Sequence, residues 1–133
     1  MLSIQISDIK DFMSHLLSKD TFDHFYFIEA SIKMGVSYQI QGRINEGFYD
    51  TSVEQTLNRE FCYWKEIRHR IFDIIKGKRL PLSCKIVLGL SKQSISYLIA
   101  HNNSSFREED IEGIYVNILY DPKNLLITTG ISY

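Results

Sequence analysis

The residues best suited to chemistry in this sequence are cations and an aromatic gathered in one stretch, Glu60–Leu82 (EFCYWKEIRHRIFDIIKGKRLPL). On a helical period Lys65, Arg68 and Phe72 lie three and four residues apart on one flank, and Lys78 and Arg79 follow just past the end of the pattern. Cations interleaved with an exposed aromatic can hold phosphates and stack bases, or meet an acidic protein surface. The competing reading is structural, with long cationic side chains lying over the core edge and complementing the helix dipole. From Lys65 to Arg79 there are six Lys/Arg against two acids, net +4 within a chain of formal charge −1. The remainder is therefore acidic, and the whole-chain pI near 6.4 disfavours nucleic acid as the partner.

A second candidate surface is the aromatic pair Phe48-Tyr49, in an otherwise unpatterned stretch from Asn45 to Asn58 that reads as a surface loop. The chain carries eight Tyr and eight Phe, more than its core patterns require. Tyrosine suits protein interfaces because it offers a large rigid contact with one polar handle. An acidic run, Glu108, Glu109, Asp110 and Glu112, precedes a strand pattern and reads as a solvated helix turn or cap rather than a cation site.

Catalytic and metal-binding signatures are weak. His15, His24, His69 and His101 fall on different elements with no ligand spacing, and Cys62 and Cys84 form neither a CxxC nor a Cys/His set. Cys84 alternates with Ile86 onto a core face, which suits a small buried hydrophobe better than a nucleophile. A metal-dependent hydrolase would draw on Asp23, His24, Glu29 and Asp50. Against it, Glu29 and Lys33 are four apart rather than in the E-x-K spacing that common nuclease cores use. No P-loop, glycine-rich dinucleotide turn, G-x-S-x-G or HExxH occurs, and no cofactor is expected.

These residues need a scaffold, and the periodicities supply one. Phe61, Trp64, Ile67, Ile71 and Ile74/Ile75 make an apolar stripe opposite Glu66, His69, Arg70, Asp73 and Lys76, and Gly77 with Pro81 stops the helix near Lys76. Upstream, Leu2, Ile4 and Ile6 alternate as a strand, and Ser7 or Asp8 caps a helix carrying Ile9, Phe12, Met13, Leu16 and Leu17. Tyr26, Ile28, Ala30 and Ile32 then share a strand face, and Val36, Tyr38, Ile40, Gly42 and Ile44 share another beyond a tight turn at Gly35. Leu82 to Leu90 alternates as a fourth strand. Ser91 can cap a third helix with Ile95, Leu98 and Ile99, and Gly113–Tyr120 and Leu125–Thr129 form a closing hairpin around Asp121-Pro122-Lys123-Asn124.

The predicted order is β-α-β-β-α-β-α-β-β: one α+β domain over residues 1–133, mostly antiparallel, with helices on one face. It reads as two βαββ halves bracketing the Trp64 helix. The length suffices for a core without disulfides. No apolar run spans a bilayer and no secretory leader is evident, so neither membrane insertion nor secretion is expected. Two unpaired cysteines fit a reducing cytoplasm.

The segments DIKDFMSHLL, FDHF, EASI, FYD, YWKEIR, IIKGKRLPLSCKIVLGLS, IEGIYVNILYD and TTG resemble a family of uncharacterised small proteins of clostridial-type anaerobic bacteria, a domain of unknown function. The resemblance covers nearly the whole chain and implies a domain outline without an activity, cofactor or functional residue. Members of that family continue past TTG through a further strand and helix. The resemblance therefore implies a shortened chain, with an edge strand near Leu125–Tyr133 available to another chain.

The leading functional expectation is a non-enzymatic protein-interaction module, accessory or inhibitor-like, with a protein partner or a second copy. It would work through Lys65, Arg68, Phe72, Lys78, Arg79, Phe48 and Tyr49, or through the acidic Glu108–Glu112 face. The alternative is a nucleic-acid-associated protein, either a binder through the basic flank or a clamp-like domain, and a metal-dependent hydrolase comes third.

Overall fold

The computed structural model describes residues 3–49, 59–91 and 113–132. In chain order the elements are β1 (Ser3–Gln5), α1 (Ile9–Leu17), β2 (Tyr26–Lys33), β3 (Ser37–Gln41), α2 (Trp64–Ile75), β4 (Ser83–Gly89), β5 (Gly113–Tyr120) and β6 (Leu125–Ser132). The strands form a single six-stranded sheet in the order β1-β6-β5-β4-β2-β3, antiparallel at every pairing. The α+β architecture and element order thus follow the sequence pattern. The third helix expected after Ser91, the acidic Glu108–Glu112 run and His101 lie outside the described residues.

The local chemistry accounts for each boundary. Asp8 caps α1 by accepting a hydrogen bond from the Asp11 N–H at 3.0 Å. At the start of α2 the Glu66 carboxylate reaches back to the Tyr63 N–H at 2.7 Å. Gly77, at φ 154°, ends that helix in a conformation that side-chain-bearing residues rarely adopt. In the β5–β6 turn the Asp121 carboxylate accepts from the Lys123 and Asn124 N–H groups at 2.8 and 2.9 Å.

Register carries one apolar face across the sheet. Ala30 and Ile32 stand opposite Ile86 and Cys84, these opposite Ile118 and Tyr120, and these opposite Ile127 and Leu125. On this face pack Leu16 and Leu17 from α1 and Trp64 and Ile71 from α2, forming the buried cluster. Trp64 is fully buried, donates its indole N–H to the Leu16 carbonyl at 2.7 Å and meets Phe27 at 5.7 Å between ring centroids. Burial of each such side chain is worth roughly 1.5–3 kcal/mol.

Three expectations need correction. The Leu125–Tyr133 segment is not the edge of the sheet, because β6 lies between β5 and β1, which pairs with its Leu126–Thr128 part. The pattern Tyr26, Ile28, Ala30, Ile32 does not share one face, because the ladder with β4 shifts register between Phe27 and Glu29. The extra residue puts Phe27 in the core with Ala30 and Ile32 and leaves Ile28 and Tyr26 only partly buried. The bulge also lets Gly42 approach: its N–H bonds the Ile28 carbonyl while its own carbonyl accepts from Cys62 N–H, and a Cβ there would collide with the Phe27 backbone. Nor do the two halves pair alike. The sheet places β4 between β2 and β5, whereas β1 lies at the edge beside β6, so the strand pairing does not repeat.

Candidate functional site

The basic flank of α2 divides when built from its contacts. Arg68 is held: its guanidinium forks onto Asp23, Nε to Oδ1 at 2.8 Å and Nη2 to Oδ2 at 3.0 Å, and Nη1 reaches the Leu17 carbonyl at 3.4 Å. Both side chains are largely withdrawn from solvent, so this cation ties the segment after α1 to α2 and is already neutralised. Phe72 is not an exposed stacking platform. It is half-buried against the core, and the Lys76 ammonium lies 5.9 Å from its ring centre while pairing with Asp73 at 3.0 Å. Lys65 remains exposed on the helix.

Lys78 and Arg79 stand apart from these, exposed on the connection between α2 and β4. There Pro81 is fully buried and anchors the chain, which turns Leu80 and Leu82 outward at 66% and 69% exposure. Leu82 N–H bonds the Lys33 carbonyl at 2.8 Å, and Met34 N–H bonds the Val36 carbonyl at 3.1 Å in the adjoining β2–β3 turn. Val36, 64% exposed, therefore belongs to the same end of the sheet. Lys33 lies opposite Ser83, and Lys85 opposite Ser31, on the sheet face away from the helices. At this end of the sheet Val36, Leu80 and Leu82 are exposed, with Lys78 and Arg79 on the same connection and Lys33 and Lys85 on the sheet's outer face. Exposed aliphatic side chains at one end of a sheet are candidates for an interaction surface.

Sequence reasoning assigned Lys78 and Arg79 to a candidate site but missed Val36, Leu80 and Leu82. The available signal was a Leu-Pro-Leu run directly after the cations Lys78 and Arg79. A buried Pro81 forces its two neighbours to share the opposite, solvent-facing side.

Phe48 and Tyr49 are exposed, Phe48 at 80%, and form an edge-to-face pair with centroids 5.1 Å apart. Other aromatics are engaged within the fold. Tyr26 stacks on Tyr63 at 5.3 Å with an 11° interplanar angle, and Arg59 lies 4.3 Å over the Tyr63 ring. Arg59 in turn forks onto Glu66 at 2.7 Å through both terminal nitrogens. This pairing holds the Glu66 carboxyl below its usual value, and burial, then the Tyr63 neighbour, pushes the Tyr26 hydroxyl up. The stack fixes the entry to α2.

The hydrolase set does not assemble among the described residues. Asp23 is consumed by Arg68, Glu29 points from an exposed position on β2, His24 is exposed, and Asp50 lies outside the described residues. Among the described residues no three His, Cys, Asp or Glu side chains converge as metal ligands would. Cys84 is buried with its thiol pushed up to about 12, far from a reactive thiolate, and burial raises the half-buried Cys62 as well. A groove of about 440 Å³ runs beside the start of α1. Its polar groups serve local structure: Asp8 caps the helix, and His15 Nδ1 meets Thr21 Oγ1 at 2.9 Å with Asp11 3.8 Å from its Nε2. Among the described residues no helix is long and apolar enough to cross a membrane.

Neither a curated protein nor a solved structure matches this chain. The model of a family of unknown function, DUF5721, matches residues 15–133, which takes in α1 from His15 and every later element including the Lys33–Val36–Leu82 tip, and the chain belongs to that family.

Proposed function

We propose that the protein is a non-enzymatic interaction module of the bacterial cytoplasm whose binding surface is the tip formed by Val36, Leu80 and Leu82 with Lys33, Lys78, Arg79 and Lys85. The observation that carries this reading is the pair of leucines turned outward around buried Pro81, beside cations that pair with no carboxylate among the described residues. An acidic protein segment bearing one or two apolar side chains suits such a surface. The leucines would supply the buried centre and the lysines and arginine a charged rim that steers approach. Phe48 and Tyr49 offer a second contact of the same kind. The free thiols of Cys62 and Cys84 support a reducing compartment.

Affinity capture with the wild-type chain and with a Leu80→Asp/Leu82→Asp variant, followed by reconstitution with the purified captured protein, tests the proposal. Both leucines are exposed, so the variant should keep its fold while its affinity for that protein falls at least tenfold. Equal affinity of the two forms sinks the reading. Binding of single-stranded DNA that weakens with salt and is lost in Lys78→Glu/Arg79→Glu would instead establish the nucleic-acid alternative.

A further inference from the structure

The sheet treats its two edges differently. At one end β1 pairs only with Leu126–Thr128 of β6, so this edge is stepped rather than one straight strand. At the other end β3 runs Ser37-Tyr38-Gln39-Ile40-Gln41, with no charge, no proline and no bulge within it, and every residue except Ile40 is exposed. None of the common devices against edge-to-edge pairing is present in that strand.

Its hydrogen-bonding direction follows from the turn and from Gly42. Gly42 N–H bonds the Ile28 carbonyl and the Val36 carbonyl accepts from Met34, while Tyr38 and Ile40 stand opposite Ile32 and Ala30. In an antiparallel ladder alternate residues bond to the same neighbour, so positions 36, 38, 40 and 42 face β2. Ser37, Gln39 and Gln41 consequently direct their N–H and C=O groups outward. Three consecutive outward residues, centred on Gln39, make a self-complementary edge.

We infer that two copies of this chain associate about a two-fold axis through Gln39, β3 against β3, to form one continuous twelve-stranded sheet. In this register Gln39 faces its own counterpart and Ser37 faces the partner's Gln41, so all six outward backbone groups find partners. Tyr38 stands beside the partner's Ile40 on the helix-bearing face, an aromatic against a β-branched residue, one of the favourable cross-strand pairs. That contact covers Tyr38 and carries the core face of one copy into the next. The charge next to the paired strands meets none of its own kind: Arg43 falls opposite the partner's Gly35, while Lys33 stands on β2, one strand in from the edge. The two tips then lie about 20 Å apart, six strand residues at ~3.3 Å each, on the two sides of the axis. A second copy fits this edge better than an arbitrary strand, because the register satisfies the backbone, the side-chain pairs and the charges at once.

The association is measured on the full chain without any other partner, so its failure is separable from failure of the tip reading. Light scattering behind size exclusion, over a concentration series, should give twice the chain mass at the upper end. Gln39→Pro removes an outward N–H, and Tyr38→Lys places two cations across the axis; each should raise the dissociation constant at least tenfold with an unchanged circular dichroism spectrum. Gln39→Cys should cross-link under mild oxidation, since directly opposed residues of a hydrogen-bonded pair have Cα atoms about 5.5 Å apart, within disulfide reach. A monomer at every concentration overturns the inference. So does a dimer that survives Gln39→Pro and Tyr38→Lys, or one that fails to cross-link through Cys at position 39.

Discussion

Replacing Trp64 by alanine tests the core at the point where both helices and the sheet meet. The indole is fully buried against Phe27, and its N–H is the donor to the Leu16 carbonyl in the last turn of α1. Truncation of a buried large aromatic costs about 3–5 kcal/mol from lost transfer energy and the cavity left behind. Leaving the Leu16 carbonyl without its donor adds about 1 kcal/mol at the low end of such penalties, because water can enter the new cavity and satisfy part of it. A loss near 5 kcal/mol is therefore expected, comparable to the whole stability of many domains this size. Trp64→Phe keeps most of the ring volume and loses the hydrogen bond, and should cost about 1–3 kcal/mol. Urea unfolding followed by far-ultraviolet circular dichroism reads both, and an unchanged denaturant slope would show that the denatured state is unaffected. Trp64→Ala within 1 kcal/mol of wild type would refute the packing argument. Equal losses for the two variants would show that the hydrogen bond, rather than the ring volume, dominates.

Other perturbations follow from the same contacts. Gly42→Ala should destabilise by at least the ~1–3 kcal/mol typical of overpacking, since the new Cβ meets the Phe27 backbone rather than a movable side chain; a melting temperature equal to wild type would count against the described approach. Glu66 has a folded-state pKa below its unfolded value because Arg59 forks onto it, so its contribution is present above about pH 4.3 and fades as the pH falls through the folded value. Glu66→Gln should flatten the acid limb of the stability profile, by at most about 1 kcal/mol because the carboxylate is partly solvated; identical profiles would exclude the pairing as a stabilising term. Near pH 8 a thiol reagent should modify Cys62 slowly and Cys84 not at all until the protein is unfolded, given the burial of both; rapid modification of two thiols in the native state would contradict the described core.

Much of the scaffold was legible because periodicity reports burial directly. The stripe through Trp64 and Ile71 fell where the core lies, and the alternation of Cys84, Ile86 and Leu88 matched the inward face of β4. The same logic failed at β2, where one extra residue near Ile28 reversed the phase, and a bulge leaves no composition signal that spacing can detect. The site was less legible than the fold. Arg68 looked like a free cation because its neutralising partner, Asp23, is 45 positions away and is brought alongside only by the packing of α1 on α2. Phe72 looked like the exposed edge of an amphipathic helix, yet the core is wide enough to take it in. Leu82 read as the first residue of the fourth strand, and no pattern marked Leu80. Their exposure depends on Pro81 being the residue that turns inward, a choice made by the Leu82–Lys33 backbone bond and not by any local pattern.

The position of β1 bears on how the chain is made as well as how it is held. Its residues pair with β6, and the Gln5 side chain reaches Asn124, 119 positions further along. The hairpins β2–β3 and β5–β6 close over a few residues and can form within microseconds. β1 cannot find its neighbour until β6 has left the ribosome, roughly 6–24 s later at ordinary synthesis rates of about 5–20 residues per second. During that interval Leu16, Leu17 and the first strands present apolar surface with part of their cover not yet synthesised. Closing so long a loop also slows the final pairing relative to the local ones. β1 therefore waits for the end of synthesis before its edge of the sheet can close.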